Sequence, residues 1–174
     1  MEGFLSPTEI LKQLKLRKSM VAVDFGSGSG GWAIPLAKKL EEGKVYAIDL
    51  LEEPLSALKA KASLERLYNI QTILANVEKG IVILRDASCS LVLMTNLLFQ
   101  CEDKRKVLEE GKRILKPEGR ILVIDWKKDA TLGPRKDKVL PEEVKKIAKE
   151  IGGLKIEKEF DASPYHYALV FTKK

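Results

Sequence analysis

The run Met20-Val21-Ala22-Val23 leads straight into Asp24-Phe25-Gly26-Ser27-Gly28-Ser29-Gly30. This junction constrains the chain more than any other stretch. A short apolar run followed by closely spaced glycines reads as a buried strand turning into a helix. Glycine lets the backbone turn tightly and approach a ligand with no Cβ in the way. A helix starting there points free N–H groups and the positive end of its dipole at the ligand. The junction is therefore expected to be a nucleotide-type cofactor loop.

Gly26, Gly28 and Gly31 also satisfy the dinucleotide fingerprint G-x-G-x-x-G, so an oxidoreductase stays open at this point. Asp24 weighs the other way. A carboxylate two residues before the first glycine repels a pyrophosphate but accepts hydrogen bonds from an ammonium group, which S-adenosylmethionine carries on its methionine end. Lys44-Val45-Tyr46-Ala47-Ile48-Asp49 reads as a second strand ending in an acid about 20 residues beyond the glycines, where a ribose-binding carboxylate belongs. Further runs follow at Ile73-Leu74-Ala75-Asn76-Val77, Ser90-Leu91-Val92-Leu93-Met94-Thr95-Asn96 and Leu115-Lys116-Pro117-Glu118-Gly119-Arg120-Ile121-Leu122-Val123-Ile124-Asp125-Trp126.

In these landmarks, taken in order, the chain resembles class I S-adenosylmethionine-dependent methyltransferases of the type 11, ubiquinone/menaquinone-type subgroup. The likeness runs from about Phe4 to the C-terminus, with its core from Val21 to Trp126. It implies methyl transfer with S-adenosyl-L-methionine as cofactor. The implied cofactor residues are Asp24, Gly26, Ser27, Gly28, Gly30, Asp49, Leu50, Asn76, Val77 and Asn96. Asn76 stands where the family often has Asp; its amide oxygen can still accept from an adenine amino group while the Val77 N–H meets a ring nitrogen. Ser90 replaces the acid that commonly opens the fourth strand. Asn96 lacks the proline-proline-aromatic tail of amino-methylating DNA enzymes.

Strand and helix signals alternate, which calls for an α/β fold: a Rossmann-like, doubly wound, mostly parallel sheet of about seven strands. Ser6-Pro7-Thr8-Glu9 reads as a capping box opening a helix to about Leu16. Ala33, Ile34, Ala37 and Leu40 give the next helix its apolar stripe, with Pro35 in its first turn. Leu51, Leu55, Leu58 and Ala62 do the same after Asp49. Val107, Leu108, Gly111, Ile114 and Leu115 mark a fourth helix, and Val144, Ile147, Ala148 and Ile151 a fifth that ends at Gly152-Gly153. The last two strands, Leu154 to Phe160 and about Tyr165 to Thr172, are joined closely enough to form a C-terminal antiparallel hairpin. The resemblance places the last strand beside the fifth.

One domain is expected over residues 1–174, divided into an N-terminal helical segment (1–19), a cofactor-binding core (20–126) and a substrate-side loop, helix and hairpin (127–174). Lys127–Leu140 is the longest stretch without structure, and such loops are usually functional. No apolar run approaches the ~18 residues that cross a bilayer. Cys89 and Cys101 lack metal-ligand spacing and read as reduced thiols of a cytoplasmic protein, so no metal is expected. They are also too few for arsenic methylation. The net charge is +6, but the lysines are spread along helices and aromatics make up only 6% of the chain. A solvated surface is favoured over a nucleic-acid track.

Ligands of open parallel sheets sit outside the carboxyl ends of the strands. The hairpin turn faces that same rim, so Trp126, Ser163 and Tyr165 belong to the substrate side, with Asp125 and the Lys127–Leu140 loop. His166, the only histidine, is the candidate catalytic group because its ordinary pKa lies near neutrality. A small-molecule acceptor is expected, with no membrane partner. RNA or protein methylation and a catalytically silent cofactor-binding module remain as alternatives.

Overall fold

Each apolar run that ends in turn residues becomes a strand of a single sheet in the computed structural model, which describes residues 5–174. Met1–Phe4, the start of the expected N-terminal helical segment, lie outside the described residues. The chain runs α1 (Pro7–Lys12), β1 (Val21–Phe25), α2 (Ala33–Lys39), β2 (Lys44–Asp49), α3 (Glu52–Leu64), β3 (Ile70–Leu74), β4 (Cys89–Thr95), α4 (Lys104–Ile114), β5 (Leu115–Trp126), α5 (Pro141–Ile151), β6 (Leu154–Ser163) and β7 (His166–Lys173). Two short 3-10 turns, Val77–Lys79 and Leu98–Gln100, follow β3 and β4.

The seven strands lie in the order β3-β2-β1-β4-β5-β7-β6. β1 to β5 pair in parallel, and β7 runs antiparallel between β5 and β6. Successive side chains of a strand alternate between the two faces, and both faces are covered. Val23, Phe25, Met94 and Val123 pack under α4 and α5. Ala22, Leu93, Leu122 and Ile124 pack under α1, α2 and Leu58 of α3. Strands buried on both sides explain why Leu91–Met94 of β4 and Ile121–Ile124 of β5 read as unbroken apolar runs.

Several local expectations are corrected. Ser6 precedes α1 but its side chain makes no capping hydrogen bond, and the helix stops at Lys12 instead of reaching Leu16. Leu51 is exposed ahead of α3, leaving Leu55, Leu58 and Ala62 as the buried stripe. Leu115 belongs to β5, where it pairs with Cys89 before the register shifts and Arg120 meets Leu91. The third strand ends at Leu74, so Asn76 and Val77 lie in the turn beyond it. Pro35 does sit in the first turn of α2, where its missing N–H costs nothing.

Candidate functional site

The backbone at the end of β1 has positive φ at Gly26 (+68°), Gly28 (+52°) and Gly30 (+94°), a left-handed region that side chains with a Cβ rarely adopt. Gly28 matters most, because a Cβ built there would meet nothing within 4 Å. Internal packing therefore does not require glycine there, and the position faces open space. Gly31 has no positive φ, so the dinucleotide spacing is not the one the turn uses. The turn continues to Trp32 before α2 begins at Ala33. The expected direct hand-over from glycines to a helix N-terminus is therefore replaced by loop backbone.

Asp24 lies at the foot of this loop, 1% exposed, and neither carboxylate oxygen has a hydrogen-bond partner. Burial pushes its pKa up to about 8, and the nearby Asp49 charge adds to the rise. Ser27 Oγ is likewise buried without a partner. Buried polar atoms are nearly always bonded, so this pair is a candidate anchor for a ligand's polar group. A carboxylate favours a cation there.

Asp49 ends β2 across from the glycine loop. Its Oδ2 accepts from the Gly28 N–H at 2.8 Å and its Oδ1 from the Leu51 N–H at 3.0 Å, which fixes the carboxylate and leaves lone pairs for two hydroxyls. Asn76 Oδ1 accepts from the Glu78 N–H at 2.9 Å. It therefore shapes the turn after β3, and only its remaining lone pair can meet an adenine amino group.

A cavity of about 440 Å³ opens at these strand ends. Gly26, Gly28, Asp49, Leu50, Asn76, Val77 and Asn96 line it, as does Gln100. Asp24, Ser27 and Gly30 are not in its wall. Leu97, Gln100 and Cys101 were not expected as lining; they come from the turn after β4, and their only signal is that they directly follow Asn96. Gln100 Nε2 donates to the Asn96 carbonyl at 2.7 Å, and Asn96 itself has a φ of +50°. Glu78, also unexpected, accepts from the Glu102 and Asp103 N–H groups and ties this wall to α4. Burial raises the Cys101 thiol to about 12, with Glu78 adding to the effect, so it is no nucleophile at neutral pH. Cys89 and Cys101 are both free and buried.

The substrate-side residues gather apart from this cavity. Trp126 pairs with His166 across β5 and β7, and their rings lie 4.1 Å apart, tilted by 40°. Ser163 Oγ lies 2.8 Å from His166 Nδ1 and accepts from the Tyr165 N–H at 3.1 Å. His166 is 5% exposed, and its pKa is lowered by burial and then by the Lys127 charge. Tyr165 contributes its carbonyl, which accepts from the Lys127 N–H at 2.9 Å. Asp125 is fully buried, raised to about 6 by desolvation, and accepts from the Phe99 and Trp126 N–H groups. It braces the rim. Among the described residues no cluster of three or more metal-ligating side chains forms.

This arrangement suits a ligand with a cationic head at Asp24, vicinal hydroxyls at Asp49 and a flat base beyond Asn76. The comparisons agree with it. Residues 23–123, more than half of the chain, match the methyltransferase domain family. The chain belongs to that family, and S-adenosylmethionine is its cofactor.

The solved structure of an S-adenosylmethionine-dependent methyltransferase from Aquifex aeolicus superposes with a TM-score of 0.89 at 27% identity, covering 98% of this chain and 90% of that one. The demethylmenaquinone methyltransferase of Bacillus mycoides (strain KBAB4) is 27% identical over 133 residues, 76% of this chain and 55% of that protein. The enzyme of the same name from Listeria monocytogenes serotype 4a (strain HCC23) is 29% identical over 118 residues, 67% of this chain and 49% of that protein. The chain thus spans about half the length of the curated relatives it matches.

Proposed function

We propose that this chain transfers the methyl group of S-adenosylmethionine to a small-molecule acceptor. The observation that carries the reading is the buried, unpartnered Asp24 carboxylate beside a glycine loop whose Gly28 faces open space. When bound, the cofactor supplies an electrophilic methyl group on a sulfonium. Asp24 holds the amino group, Asp49 the ribose hydroxyls, and the Asn76-Val77 turn the base. Rate then comes mainly from holding acceptor and methyl in line.

The relatives' name supports a hydroquinone-type acceptor, so a naphthohydroquinone unsubstituted at the ring carbon is the first to try. Several surface cations are already paired: Arg113 with Asp86 and Glu110, Arg120 with Glu157, and Lys145 with Glu142 and Glu159. That pairing supports a small molecule over a nucleic acid. Two free buried thiols are in keeping with a cytoplasmic enzyme, and no described helix is long and apolar enough to cross a membrane. The test is transfer of labelled methyl to 1,4-naphthohydroquinone under anaerobic conditions. Label in the product supports the acceptor class. Efficient labelling of RNA or protein with none on the hydroquinone overturns it.

A further inference from the structure

The buried side-chain polar atoms that lack partners among the described residues all fall on the ligand rim. They are both oxygens of Asp24, Ser27 Oγ, Asn96 Oδ1, Trp126 Nε1 and His166 Nε2. Read along the sheet they follow its strand order, from the end of β1 through β4 and β5 to the start of β7. No such atom is stranded elsewhere in the described core. The first of them are accounted for by the methionine end of the cofactor. The last two, Trp126 Nε1 and His166 Nε2, are not.

We propose that Trp126 and His166 form a two-donor cradle for an oxygen of the methyl acceptor, with His166 a neutral donor and not a base. The proposal rests on the methyl-transfer reading above. Indole nitrogen can only donate, which fixes the polarity of one arm. The other follows from Ser163. Its Oγ accepts from the Tyr165 N–H and lies 2.8 Å from His166 Nδ1, and in the cradle its hydroxyl donates to that nitrogen. The ring proton is then on Nε2, so both orphaned nitrogens are N–H donors, on rings whose centroids lie 4.1 Å apart.

The Lys127–Leu140 loop closes over them. A Cβ on Gly133 would stand 2.5 Å from the Trp126 ring, so only glycine lets the loop lie on that face. Lys138 Nζ clips the loop to itself through the Lys128 and Ala130 carbonyls, and Tyr167 Oη anchors its end by donating to Val139 O. Lys127, whose Nζ pairs with Asp161 at 2.9 Å, is the charge that acts on His166, and it favours the neutral ring.

Two donors that share one acceptor oxygen favour negative charge there. The acceptor therefore enters as, or becomes, an enolate- or phenolate-type anion whose proton has gone to water. Its electron pair then forms the new bond to the methyl carbon as the carbon–sulfur bond breaks and leaves its pair on sulfur. Where the bond is made at a ring carbon, that carbon's proton then passes to water while the oxygen regains one, restoring the aromatic ring. No proton needs to reach His166. Ser163 is a positioning residue that sets the tautomer.

A single histidine makes the ring 15N spectrum of the full chain unambiguous. The expected result near neutral pH is the neutral tautomer protonated at Nε2, with a shift to the Nδ1-protonated form in Ser163→Ala. In steady-state transfer to 1,4-naphthohydroquinone, Trp126→Phe, which keeps the ring and loses one donor, should raise KM for the acceptor about ten- to a hundredfold. Its affinity for S-adenosylhomocysteine should not change. An imidazolium or an Nδ1-protonated ring in the parent overturns the cradle whatever the acceptor proves to be. Unchanged acceptor KM in Trp126→Phe does the same. Failure of the parent to bind S-adenosylhomocysteine instead removes the methyl-transfer reading, so the two failures are distinguishable.

Discussion

The two halves of the ligand rim are built differently. At the ends of β1, β2 and β3 a cavity of about 440 Å³ stands open. At the ends of β5 and β7 a long irregular loop lies over Trp126, and His166 is 5% exposed. The open half presents the Asp49 carboxylate, held by two backbone N–H groups. The covered half gathers Trp126, His166 and Ser163, with the loop lying on the Trp126 ring. If the acceptor binds the covered half as proposed, a fold can keep one cofactor while its acceptor changes, because the two halves are structurally separate.

If that division holds, substitutions should act on one half only. The largest effect is expected from Gly28→Val. The new side chain would enter the open space where the ligand passes and occupy an unfavourable φ, so S-adenosylhomocysteine binding should weaken by more than about a hundredfold. Melting curves check that the variant still folds. Asp49→Ala comes next. Losing a carboxylate that accepts charge-assisted bonds costs about 1.5–3 kcal/mol, or roughly ten- to a hundredfold in Kd. Equal binding by a folded Asp49→Ala protein would refute the ribose assignment.

Asp24 sharpens the comparison through pH. Its folded pKa is raised from 3.8 to about 8. Its contribution to the stability of the ligand-free protein is thus fully present below 3.8 and lost as pH rises through 8. Binding runs the opposite way, since the ionised carboxylate is the form that pairs with an ammonium group. Affinity for S-adenosylhomocysteine should climb by up to about tenfold per pH unit between roughly pH 6 and 8 and then level, with proton release on binding below pH 8. Calorimetry in buffers of different ionisation heat measures both. A pH-independent affinity would place the amino group elsewhere.

The smallest effect belongs to the covered half. Gly133→Ala, at φ +87° against Trp126, should lift the loop and raise the acceptor KM by about three- to tenfold through roughly 1 kcal/mol of strain. Cofactor affinity should stay as it was. A matching loss of S-adenosylhomocysteine binding would show that the halves are coupled.

The same division governs what could be read in the sequence. The glycine turn, Asp49 and the alternation of strands and helices were legible because each depends on neighbours a few residues away: a φ that glycine allows, a strand that ends in an acid, a stripe at helical spacing. Even there, fine boundaries shifted. Leu115 left its helix because pairing with Cys89 outweighed helical periodicity, and Ser6 went without its capping bond. The covered half was legible only as a location. That Trp126 and His166 stack, that Ser163 holds Nδ1, and that Gly133 lies on the indole all depend on register across β5, β6 and β7, which no local pattern encodes. Gln100, Cys101 and Glu78 entered the cofactor wall through the 3-10 turns after β3 and β4, whose short spans carry little periodic signal.

The most direct measurement is calorimetric titration of the full chain with S-adenosylhomocysteine, set beside NAD and NADP. The expected result is one site with a micromolar Kd, about −8 kcal/mol, and no heat of binding from either dinucleotide. Tight dinucleotide binding with no response to S-adenosylhomocysteine would contradict the assignment of Asp24 and the glycine loop, and with it the methyltransferase site.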